Sequence, residues 1–204
     1  MGGTVAALYA NSHPGKVQGM IFCAPMLAIK TKPFPVFVAR LIAQGASRMG
    51  LEAFYVLGGG PYDPTKSFDR NDLTHSQARF CLNQKLIASA SVNALGSPTY
   101  GWIDQAFAGM RLLGEDHGKL TMPVLLLQAG ADTVVDNRPL VDFCAHLPVC
   151  TFVDLPGAKH EILMEEDSIR NRAITLIRNF LLSQTPVKHQ QGEQGSSSIR
   201  ERQP

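Results

Sequence analysis

Apolar and polar positions divide the chain into short continuous apolar runs and longer helical periods. Pro123-Val124-Leu125-Leu126-Leu127-Gln128 is unbroken and predicts a strand buried on both faces. It stops at Ala129-Gly130-Ala131-Asp132, which sets a carboxylate just past the strand's C-terminal end. A second run, Val149-Cys150-Thr151-Phe152-Val153-Asp154-Leu155, is broken by Pro156-Gly157 and then delivers His160 from a loop. Val17 to Cys23 predicts a third buried strand, closed by Pro25. Before it, Thr4 to Ala10 reads as a small-residue helix that Pro14 and Gly15 stop. A helix followed by a buried strand is half of a βαβ unit whose first strand is expected upstream.

Between the first strand and Pro123 the pattern turns helical. Lys32-Pro33-Phe34-Pro35 is a proline entry into an amphipathic or fully buried helix through Ala43. Gly58-Gly59-Gly60-Pro61 is loop chemistry, Leu73-Thr74-His75-Ser76 precedes a mixed helix to about Ala88, and another helix runs through Ile103, Ala106, Phe107 and Met110. The last helix, Asp167 to Leu182, puts Ile169, Ala173, Leu176, Ile177, Phe180 and Leu181 on one face, with Arg170, Arg172 and Arg178 off it. The expected organisation is residues 1–27 as helix and strand, 28–116 as a helical cap, 117–183 as a C-terminal core, and 184–204 as a Gln- and Ser-rich disordered tail.

Bulk properties narrow this only a little. A length of 204 residues suits one domain or a large piece of one, and a net charge of +2 without a basic stripe gives no reason to expect nucleic acid. Cys23, Cys81, Cys144 and Cys150 stand among apolar residues without metal-ligand spacing, so buried free thiols in a reducing, cytosolic compartment are expected. No run has the length of a transmembrane helix, and no signal peptide or internal repeat is seen.

An acid after one strand and a histidine after the next is how α/β-hydrolases set two members of a catalytic triad, in the order nucleophile, acid, base. Asp132 and His160 are the candidates, with Asp136 as runner-up carboxylate and more simply a capping or loop residue. The nucleophile should precede them. Met1-Gly2-Gly3 matches the part of a G-x-S-x-G elbow that follows the serine, which would then sit one position before Met1. The plainer reading is an initiator methionine before a Gly pair; for myristoylation, Ala6 stands where Ser or Thr is required. Ser12, Ser76, Ser89, Ser91 and Ser97 lack the flanking glycines of an elbow, and Cys23 lies within a strand. His13, His75, His117, His146 and His189 fall in turns, helices or the tail and read as solvated or packing residues, with His75 a weaker cap-site candidate.

Pro25-Met26, Leu73-Thr74-His75-Ser76, Pro98-Thr99-Tyr100 with Trp102, Val134-Val135-Asp136-Asn137-Arg138 and His160-Glu161-Ile162-Leu163 together resemble bacterial lysophospholipases of the monoacylglycerol-lipase-like α/β-hydrolase family. The similarity runs in register over roughly Met1 to Ser183. It implies the C-terminal portion of an α/β-hydrolase fold, a parallel sheet flanked by helices with a helical cap insertion.

The family's elbow is Gly-His-Ser-Met-Gly-Gly, of which this chain has Met1-Gly2-Gly3. The resemblance implies a serine hydrolase that releases fatty acid from lysophospholipids or monoacylglycerols. Asp132 would be its acid, His160 its base, and the Met1 backbone N–H a donor to the oxyanion hole. No cofactor or metal is implied. Contact of the cap with the inner face of the inner membrane follows only from the substrates. With the serine and the earlier strands outside the chain, an inactive fragment is expected, with the Val17–Cys23 strand as an exposed apolar edge and poor solubility. Two readings stay open beside this: a non-catalytic lipid-binding or regulatory fragment, and an α/β-hydrolase with another nucleophile and chemistry.

Overall fold

The computed structural model describes residues 1–90, 94–116 and 120–184. Three short strands form one parallel sheet in the order β1 (Met20–Cys23), β2 (Val124–Ala129), β3 (Cys150–Leu155), with Met20 opposite Val124 and Val124 opposite Cys150. The helices are α1 (Gly2–Ser12), α2 (Val36–Arg48), α3 (Gln77–Ser89), α4 (Tyr100–Asp116), α5 (Leu140–Ala145) and α6 (Asp167–Gln184).

The apolar run of β2 is central because both its faces find a layer. Val124 and Leu126 point into a cluster with Phe22, Ala7, Ala10, Leu113, Leu140 and Phe143, which belongs to β1, α1, α4 and α5. Leu125, Leu127 and Ala129 point the other way, against Ala173 and the half-buried Ile169, Leu176, Ile177 and Phe180 of α6. The apolar face read from the sequence of the last helix therefore covers the sheet. β1 and β3 are the edges among the described residues, and Val5, Tyr9, Val17 and Ile21 line a shallow apolar surface along the outer side of β1.

Between β1 and β2 lie α2, α3 and α4. The fully buried alternative for α2 does not hold: Ala43 alone is buried, while Val36, Phe37 and Leu41 face solvent. α4 leaves this insert and enters the core, burying Ala106 and Leu113, and a Cβ on its Gly109 would stand 3.5 Å from Thr4 Cγ2 of α1. Ser76 caps α3 by accepting from the Arg79 N–H at 3.4 Å.

Two expectations need correction. Cys144 and Cys150 are not free thiols; they form a disulfide, with Cα atoms 5.5 Å apart. The four-residue connection from α5 to β3 doubles back, so cysteines six positions apart, one in α5 and one opening β3, meet in space. Cys81 is exposed rather than buried, because α3 turns no fully buried position toward the core. The cysteine argument for a reducing compartment is thereby removed. Separately, no described helix is long and apolar enough to cross a membrane. The disordered-tail expectation concerns residues outside the described range apart from Gln184, and His117, His189 and Ser91 lie outside it too.

Candidate active site

Asp132 and His160 come from the loops after β2 and β3, at the C-terminal ends of adjacent parallel strands, where open α/β sheets place ligands. The first loop turns at once: the Asp132 N–H donates to Ala129 O at 3.1 Å, the Gly130 N–H to Leu155 O at 3.0 Å, and the Ala131 N–H to Ala158 O at 2.9 Å. The two turns approach closely at Gly130, where a Cβ would press on Leu155 O and Pro156 Cα at 3.0 Å, so glycine is favoured there. The second loop turns through Gly157, whose φ of +76° is left-handed, and the Ala158 N–H closes onto Leu155 O at 3.1 Å. Two tight turns hydrogen-bonded to each other thus carry the acid and the histidine.

The side chains meet. His160 Nδ1 lies 2.7 Å from Asp132 Oδ2, while Asp132 Oδ1 accepts from the N–H groups of Val134 at 2.7 Å and Val135 at 3.0 Å. The Asp132 side chain is fully buried and that of His160 is 26% exposed. Lys30 Nζ donates to the Asp132 carbonyl. Burial pushes the Asp132 carboxyl up, but the bond from His160, the N–H groups of Val135 and Val134 and the charge of His160 outweigh it, so the acid sits below its ordinary range. A carboxylate held this way fixes one ring nitrogen as N–H donor and leaves Nε2 as the basic one. No described protein group hydrogen-bonds that Nε2.

Asp136 lies apart from the histidine. It accepts from the Arg138 N–H at 3.1 Å and from its guanidinium, as a loop residue, and α5 starts later, after Pro139. Met1 stands at the head of α1, packed against the cluster of Met26, Ala106 and Val135; Val135 is also the residue whose N–H Asp132 accepts. None of the described serines hydrogen-bonds the His160 ring: of the sequence candidates, Ser12 and Ser89 bond back into their own helices, Ser76 caps α3, and Ser97 Oγ accepts from Gly60 N–H. Burial pushes the Cys23 thiol up, away from the reactive thiolate. No described group of His, Cys, Asp and Glu could hold a metal ion.

Sequence reasoning missed a second carboxylate–histidine pair. Glu165, wholly buried, accepts from His75 Nδ1 at 2.9 Å across 90 residues of sequence. No spacing signals such a contact, since the two residues stand 90 positions apart. Burial pushes its carboxyl up, yet the N–H groups of Lys159 and His75, the His75 ring and the N–H of Glu166 together hold it below its ordinary range. Both depressed acids stabilise the fold above their unfolded values, and that stabilisation is lost as pH falls through the folded ones. The thermal midpoint should therefore drop on acidification below about pH 4, where free Asp and Glu take up protons. A midpoint unchanged in melts from neutral pH down to about pH 3 would contradict this.

An apolar cavity of about 280 Å³ lies within the insert, lined by Ile29, Phe34, Ile42, Val56, Tyr100 and Ile103 among others, and is linked to the site by Lys30 at its wall, which bonds the Asp132 carbonyl. A larger, more polar cavity of about 740 Å³ lies between α3 and the loops carrying Asp72, Val134 and Glu161.

Comparison with known proteins agrees with this architecture. Lysophospholipase L2 of Escherichia coli K12 is 35% identical over 189 residues, covering 88% of this chain and 55% of the relative. A probable lysophospholipase L2 of Haemophilus influenzae is 26% identical over 181 residues, covering 89% and 57%. The chain thus spans a little over half the length of these curated relatives. Among solved structures, a monoacylglycerol lipase of Paleococcus ferrophilus superposes with a TM-score of 0.66 at 20% identity, over 90% of this chain and 65% of that one. A soluble variant of monoglyceride lipase from Saccharomyces cerevisiae gives 0.65 at 18%, over 90% and 59%. These two show the fold, an α/β-hydrolase represented by three of its parallel strands. The family model described as serine aminopeptidase, S33, matches residues 1–167, most of the chain, and it is to this family that the chain belongs.

Proposed function

We propose that residues 1–183 provide the acid, the base and the lid of a serine hydrolase that releases fatty acid from lysophospholipids or monoacylglycerols. The observation that carries this is the Asp132–His160 pair, with His160 Nδ1 2.7 Å from a buried carboxylate and Nε2 left unbonded. In this reading His160 Nε2 takes the proton from a serine hydroxyl as its Oγ adds to the ester carbonyl. The same proton passes to the departing alcohol when the ester C–O bond breaks, and a water activated by His160 then releases the fatty acid. The serine would belong to a segment preceding Met1, and the Met1 amide at the head of α1 would donate to the oxyanion. By itself, then, the 204-residue chain would be inactive.

The apolar cavity suits an acyl chain, and the curated relatives named lysophospholipase favour a lipid ester. Residues 28–116 would form the lid. The exposed Val36, Phe37 and Leu41 of α2, with Arg40 beside them, would touch a membrane surface.

The test uses a fluorophosphonate probe read by intact mass, beside fatty-acid release from lysophosphatidylethanolamine and monoacylglycerol. This chain alone should give neither adduct nor release. Joined behind the part of the Escherichia coli relative that precedes its match, it should give one adduct per chain and turnover. An adduct on the chain alone would overturn the missing nucleophile, a folded but unreactive fusion would overturn the role of the pair, and turnover only of an aminoacyl anilide would make the protein an amidase.

A further inference from the structure

We propose that Glu165 is a positioning residue for His160 and that His75, from the insert, is its partner, so that the seating of the insert sets where the histidine stands. This rests on the reading above, in which His160 is the base.

The Glu165 carboxylate is closed off from solvent and is bonded by three residues, Lys159, His75 and Glu166. Oε1 accepts from the Lys159 N–H at 2.7 Å and from His75 Nδ1 at 2.9 Å; Oε2 accepts from the His75 N–H at 2.9 Å and the Glu166 N–H at 3.2 Å. One side of the carboxylate therefore grips the amide immediately before His160, and both sides grip the insert. Residue 161 is held likewise: the Glu161 N–H donates to Leu73 O at 2.9 Å. Lys159 Nζ reaches Asn71 O at 2.9 Å, and Thr74 Oγ1 donates to Met164 O at 2.6 Å. Arg79 adds bonds to Glu165 O and to the Asp167 carboxylate.

His160 is thus a residue whose two chain neighbours are both bonded to segment 71–75, while its ring is bonded to Asp132. Its place is fixed from two directions, and only one of them is the acid. A buried carboxylate persists only where its bonds are complete, and here they are. Glutamine cannot replace it. Its amide keeps one acceptor oxygen and turns an NH₂ donor toward N–H groups that need acceptors. Either the Lys159 N–H or the His75 N–H then loses its acceptor, at nearly unchanged volume.

The experiment is proton NMR of this chain, following the low-field resonance of the His160 Nδ1–H donated to Asp132. H160Q assigns the resonance by removing it. D132N must abolish it as well; if the unaltered chain lacks the resonance, or D132N leaves it, the pairing reading falls and this inference with it. Given that control, E165Q should lose the resonance to exchange while still unfolding in one cooperative thermal transition at a lower midpoint, H75Q should broaden it, and E115Q, altering the exposed Arg111–Glu115 pair, should leave it alone. A folded E165Q with the resonance unchanged overturns the positioning role and leaves the Asp132–His160 reading standing. Should E165Q fail to fold, H75Q at its half-exposed position decides: broadening supports the proposal and an unchanged resonance overturns it.

Discussion

Asp132→Asn, placed in the fusion that carries a serine nucleophile, is expected to lower kcat about ten-thousandfold with little change in KM. The size follows from the bonding. Asp132 Oδ1 is held by the N–H groups of Val134 and Val135, so asparagine would keep its oxygen there and turn its NH₂ toward His160 Nδ1. The ring would then have to accept at Nδ1 and carry its proton on Nε2, the tautomer that cannot take a proton from serine. His160→Gln should cost a similar factor. The double variant should be little worse than either, because the two residues work as one unit. Fatty-acid release measured across these variants decides it: a loss under about tenfold for Asp132→Asn would mean that another carboxylate orients the histidine.

The largest expected loss of stability comes from Leu126→Ala. Leu126 is wholly buried at the centre of β2 and points into the cluster with Phe22, Val124 and Phe143. Removing three carbons there leaves a cavity walled by α1, α4 and α5, which cannot all move in at once. The expected cost is about 3–5 kcal/mol, against a total of roughly 5–15 kcal/mol for a domain. Urea unfolding followed by circular dichroism should show a much lower midpoint with little change in slope. A cost under about 1 kcal/mol would mean that this layer is loosely packed.

The sequence made the strands legible where burial is two-sided, as in Val124 to Leu127, a short continuous apolar run bounded by Pro123 and Gly130. It made Asp132 and His160 legible because each follows a strand, and the ends of parallel strands are where loops can converge. It did not reveal α5, whose six residues are too few to show a period, nor the disulfide that α5 sets up with the start of β3. The link between Glu165 and His75 was invisible for another reason. Its partners are 90 residues apart, and nothing in the sequence joins His75, there only a weak cap-site candidate, to Glu165 until the insert is laid against the core.

The insert has a further consequence, for the order in which the chain assembles. β2 and β3 pair across 26 residues, Val124 to Cys150, and a disulfide and a short helix fill that distance. β1 must find β2 across 104 residues, Met20 to Val124, with α2, α3 and α4 in between. A fourfold longer closure adds only about 1.2 kcal/mol, two doublings at about 0.6 each. Equilibrium stability scarcely registers the insert; kinetics does, since distant contacts form late. The half that carries Asp132 and His160 is thus expected to fold as an early nucleus around β2 and β3, with β1 and α1 docking afterwards onto a sheet already begun.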